Sequence, residues 1–160
     1  MSKKYELIES DIRGFYRVKA LRSFGNITEG DIGGYVESED NLSHQGNCWV
    51  YDDAKILDNA QVSDNARLYD KAQAYDNAEV SGNAWISGNA QVFDNAQLYD
   101  ETGVVAFAQV YGNARLHNKT LVGGEAKIYD NARTYGNCWI HCNTRVYGNA
   151  KVSGTAAISN

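Results

Sequence analysis

The sequence predicts an all-β fold, a solenoid of short parallel strands, on three observations. A small residue returns every six positions, an aliphatic residue follows it two places later, and Asp or Gly followed by Asn closes the unit. Ala54, Ala60, Ala66, Ala72, Ala78, Ala84, Ala90 and Ala96 keep this spacing, and the series resumes at Ala108, Ala114, Ala126, Ala132, Ala150 and Ala156. Cys48, Thr102, Thr120, Cys138 and Thr144 stand in the same phase. The aliphatic partners run from Val50 to Ile158, and only Ala74 and Thr134 depart.

The hexad explains its own geometry. Residues two apart share one face of a strand, so the small and aliphatic side chains point inward and the residue between them points to solvent. Gly, Asn and Asp then turn the chain, because they accept a positive φ at the lowest cost. Three such sides close a triangular coil of 18 residues, successive coils pair about 4.8 Å apart, and residues 48–160 supply about six coils. Residues 1–47 break the hexad. "GFYRVKAL" and "GGYVE" read as strands joined by the turn-rich "RSFGNITEGDIGG", a β cap over the first open edge. The expected organisation is one structural unit, with 1–47 as cap and 48–160 as solenoid. The repeat is still running at "AAISN", so the last coil is expected to fray, or to be covered by or paired with another subunit.

Over about 110 residues the repeat resembles the hexapeptide pattern of left-handed parallel β-helices. The leading segment "YRVKALRSFGNITEGDIGGYVESEDNLSHQGNCWVYDDAKI" is similar to the start of bacterial, prophage and phage hexapeptide-repeat proteins of the YdcK type. The resemblance implies a left-handed parallel β-helix and a phage or prophage relationship. That family is usually labelled acyltransferase, a label taken from its fold, and the resemblance brings no catalytic motif with it.

Composition narrows the function. A net charge of −5 and a pI near 5.1 argue against a general nucleic-acid binder, which needs a basic surface. Residues 1–24 are locally basic, with Lys3, Lys4, Arg13, Arg17, Lys19 and Arg22 against three acids, so a basic patch or simply solvated strand faces are both open. No apolar run is long enough to span a bilayer, the N-terminus lacks a signal-peptide core, and three cysteines fit a reducing compartment. The expectation is a cytoplasmic protein with no membrane contact.

Positions 18 apart stack, which sorts the outward residues into columns. Leu57, Tyr75, Phe93, Tyr111, Tyr129 and Tyr147 form a nearly all-aromatic corner, beside an unbroken row of Asn59, Asn77, Asn95, Asn113, Asn131 and Asn149. Such ladders hold coils in register, or meet another subunit. A second column runs Trp49, Arg67, Trp85, Gly103, Leu121, Trp139, which places all three tryptophans on one side, with Val105 and Phe107 adding apolar area. This side is the expected protein interface, in the simplest case of a homo-oligomeric dimer or trimer, or else it is covered by the N-terminal segment folding down over it. The acidic turn residues Asp52, Asp58, Asp64, Asp70, Asp76, Asp94, Asp100 and Asp130 either serve the turns or mimic nucleic-acid phosphates.

Catalysis has thin support. Acyltransferases of this fold use a histidine base at a subunit cleft, and the candidates here, His117 and His141, lie on different corners with no loop insertion nearby. No cofactor is implied. In "GNCWIHCN" Cys138 points inward, whereas His141 and Cys142 point outward, so no metal cage is expected. The preferred reading is a non-catalytic solenoid that binds a protein, in the phage context a host or defence factor. An acyl-CoA-dependent acyltransferase with an intersubunit site and a structural virion or scaffold component are the alternatives.

Overall fold

The computed structural model describes residues 2–160, and the chain is all-β, a parallel β-solenoid of about seven turns. Three longer strands, β1 (Tyr5–Glu9), β2 (Tyr16–Ala20) and β3 (Ile32–Val36), precede a run of two-residue strands from β4 (Trp49–Val50) to β22 (Ala157–Ile158). The two-residue strands are the outward and aliphatic positions of each hexad, and they stack with the 18-residue register, as in Trp85 opposite Gly103 and Ile86 opposite Val104.

The three sides are three sheets. The tryptophan side is a seven-stranded sheet beginning at β4, one level more than the six coils expected, because Ala157–Ile158 also pairs with Trp139–Ile140. A second side, here the glutamine side, carries Lys55, Gln73, Gln91, Gln109, Lys127 and Arg145 outward. The third, the arginine side, carries Gln61, Glu79, Gln97, Arg115, Arg133 and Lys151. Coils are counted below from the one that begins at Cys48.

The interior is narrow and mostly apolar. The hexad alanines from Ala54 to Ala132 and the aliphatic residues that follow them are fully buried. Alanine suits the corner because three sheet faces converge there and leave room for little more than a methyl group. Thr134, one of the two departures from the aliphatic position, has a specific partner: its hydroxyl lies 2.8 Å from that of Thr120 in the tube, and Thr120 also reaches the His117 carbonyl at 3.0 Å. A buried hydroxyl pair of this kind satisfies groups that would otherwise cost stability.

The N-terminal strands continue the glutamine side. β1 and β2 pair antiparallel, β2 and β3 antiparallel, and β3 runs parallel to Lys55–Ile56. A 3-10 turn at Glu39–Asn41 follows, and Leu42 bridges to Val62 on the arginine side. The buried Asn41 fastens this segment: its amide donates to the carbonyls of Asp58 and Ala60, while its oxygen accepts from the amides of Glu37 and Ser38. The first coil is thereby covered on the carbonyl edge that faces this segment, with Tyr35 N–H donating to Ala54 and Ser43 N–H to Val62. No helix is long and apolar enough to cross a membrane.

Candidate interaction surface

The corners are built from repeated turn chemistry. Asp52, Asp58, Asp64, Asp70, Asp76, Asp94, Asp100 and Asp130 all take φ between 53° and 59°. Each carboxylate accepts the backbone N–H of the residue 18 positions later, at 2.8 to 3.2 Å, as Asp94 does from Gly112 and Asp100 from Asn118. The acidic turns are thus coil-to-coil acceptors, which accounts for them without a phosphate-mimicking role.

The aromatic and Asn columns are continuous ladders. Tyr75, Phe93, Tyr111, Tyr129 and Tyr147 stack face to face with centroids 4.8 to 5.5 Å apart. Asn59, Asn77, Asn95 and Asn113 each donate an amide N–H to the side-chain oxygen of the next Asn, up to Asn131, at 3.2 to 3.3 Å. A second stack, unmarked in the sequence reading, occupies the corner between the arginine and tryptophan sides. There Tyr99, His117 and Tyr135 pile at 4.8 and 5.3 Å. Its signal was a column holding His between two Tyr at a spacing of 18. Both faces of the His117 ring are covered by tyrosines, and burial lowers its pKa. His141 stacks on Trp139 at 4.3 Å, with its Nδ1 3.2 Å from Cys142 Sγ, while Cys138 is buried and bonds the Tyr135 carbonyl. The two candidate histidines lie on different corners. Among the described residues no group of three or more His, Cys, Asp or Glu gathers as a metal site.

The tryptophan side is not uniform. Trp49, expected to be exposed, is 1% accessible. Phe24 packs on its edge at 5.4 Å and Tyr5 at 6.2 Å, and Gly33 approaches so closely that a Cβ there would lie 2.8 Å from the indole. The N-terminal meander therefore covers this end, a long-range contact that the repeat could not signal. Phe107, also assigned to this side, instead occupies the corner and lines a groove of the glutamine side with Gln109, Lys127 and Arg145. Arg67 stands between Trp49 and Trp85, and Trp85 lies across Gly103, whose missing side chain makes the space. Leu121 and Val105 are half-buried, and Trp139 is 50% exposed. From coil 3 upward the mid-strand residues are Trp85, Gly103, Leu121, Trp139 and Ala157, without a charge among them.

The basic N-terminal residues are largely engaged. Lys3 pairs with Glu39 at 2.8 Å, Lys19 with Glu6, and Arg17 caps the Tyr35 ring and reaches Asp53. Lys4 is fully buried, donating to the Cys48 carbonyl at 2.9 Å and lying 3.2 Å from Cys48 Sγ; burial lowers the lysine pKa and raises that of the thiol. Compared with known proteins, the chain matches no family model and no curated sequence.

Proposed function

We propose that the protein is a non-catalytic interaction module whose tryptophan side docks another protein. The observation that carries this reading is the uncharged strip from Trp85 to Ala157, centred on a half-exposed Trp139 beside Leu121, on a molecule whose other two sides are polar. An exposed tryptophan on a flat, rigid sheet desolvates a large area at little entropic cost, which is the usual chemistry of an interface anchor. The module also self-associates, and the resemblance to phage and prophage proteins makes a host or defence factor its partner.

Trp139→Ala and Trp85→Ala test the reading by pull-down from host lysate. The expected result is loss of a specifically captured protein. Unchanged capture by both variants would sink it.

A further inference from the structure

We infer that the arginine side is a homodimer interface in which two copies pack antiparallel, side against side. The self-association proposed above is given a location here, on a surface that does not include the tryptophans.

The charge on this side reverses along its length. In coils 1 to 3 the strand centre carries Glu79 and the Asn-ladder edge carries Asp58, Asp76 and Asp94. The opposite edge adds Asp64, Asp100 and Glu101, and no Lys or Arg lies on these three coils of the side. In coils 4 to 6 the centre carries Arg115, Arg133 and Lys151, the edge adds Lys119, and Asp130 is the single acid.

The basic half is poorly compensated within one chain. Arg115 stands directly opposite Arg133, and Arg133 opposite Lys151, in neighbouring strands. Like charges so placed destabilise a sheet, and none of the three makes a salt bridge among the described residues, the Lys119 to Glu101 contact at 3.8 Å being the one ion pair on this side. Lower in the same column the polar groups satisfy one another, with Gln97 donating to Glu79 at 3.0 Å. The cations are therefore the open valence of an otherwise self-satisfied column.

A second copy fits this pattern better than a free polyanion does. A two-fold axis lying in the face between coils 3 and 4 sets coil 2 against coil 5 and coil 3 against coil 4. Glu79 then meets the partner's Arg133, and Asp94 and Asp100 approach the rung of Arg115 and Lys119. On the other two rungs Arg115 and Lys151 face the partner's Gln97 and Gln61, beside the corner acids of coils 3 and 1, and a two-fold contact closes on itself. A polyanion laid along the side would meet seven acids in the lower coils.

Light scattering at about 50 and 500 mM salt reads the dimer directly. The wild-type chain is expected to dimerise at low salt and to weaken at least tenfold at high salt. Arg133→Glu alone sets Glu against Glu79, and Glu79→Arg alone sets Arg against Arg133, so each single variant is expected to be monomeric. An equimolar mixture of the two restores the dimer, since both two-fold-related contacts again join opposite charges. A monomeric wild type, a single variant that dimerises like wild type, or a mixture that stays monomeric overturns the inference. So does Arg133-dependent binding of a thymidine oligonucleotide by a monomeric wild type, which would make the basic half a polyanion site. Trp139→Ala, which leaves this side intact, is expected to keep the low-salt dimer, so failure of the tryptophan-side reading is told apart from failure of this one.

Discussion

At the scale of single residues, the turn aspartates do two jobs that one glance at composition merges. Asp94 holds a left-handed backbone at φ 56° and also accepts the Gly112 N–H at 3.0 Å. Asp94→Asn keeps the backbone preference and an acceptor oxygen, whereas Asp94→Ala loses both. The alanine variant is expected to cost about 1–2 kcal/mol in urea unfolding, and the asparagine variant to stay within about 0.5 kcal/mol. The converse case is Ala106, which sits at φ 61° with no side-chain compensation. Ala106→Gly is expected to raise stability by up to about 1 kcal/mol in the same measurement, because it removes left-handed strain that exceeds the added chain entropy. The sequence marks the aspartate positions as turns, whereas Ala106 is marked only by its phase in the hexad. It does not mark the carboxylate's acceptance of an amide 18 residues away, which follows only once the pitch brings the coils within hydrogen-bond reach.

At the scale of elements, the repeat was legible to the residue and its coverings were not. Strand positions, inward faces and the stacking of columns all followed from the hexad, since each depends on residues two or 18 apart. Burial of Trp49 depends on Phe24, Tyr5 and Gly33, which belong to no repeat. The turn of Phe107 toward the glutamine side reflects its place at the Asn position of the hexad, one corner beyond the strand it was grouped with. Gly103 was legible as a gap in the tryptophan column but not as the seat of Trp85. Gly103→Val places a side chain where a Cβ alone would lie 2.4 Å from the Trp85 ring. The indole must swing outward, and a red-shifted tryptophan emission with unchanged far-ultraviolet circular dichroism is the expected signature. An unshifted spectrum would mean that the ring does not rest on the glycine.

At the scale of the whole molecule, two histidines couple the fold to pH. His44 stacks on Tyr5 at 4.2 Å and accepts the Lys4 N–H at Nδ1, and burial lowers its pKa; burial also lowers that of His117, between its two tyrosines. A depressed folded-state pKa means that the unfolded chain takes up the proton first, at about 6.5. The stability is then present above that pH and is lost as pH falls through the lower folded values. The thermal midpoint is expected to fall between about pH 7 and 5, and His117→Phe, which keeps a ring in the stack, to flatten part of that fall. A midpoint independent of pH over this range in the wild type would contradict it.

The aspartate contacts also have a direction. Every one reaches from an earlier coil to a later one, while the backbone N–H groups of the earlier coil donate upward to the later coil's carbonyls, as Lys55 does to Ala72. A finished coil therefore offers its successor a complete template: donors along three sides and acceptors at the corners. During synthesis the chain emerges with the N-terminal meander first, and each new 18-residue length meets an edge already prepared for it. Assembly order is thus written into the side-chain chemistry of the corners, and a coil removed from the middle would leave its neighbours with interchangeable edges that can rejoin in phase.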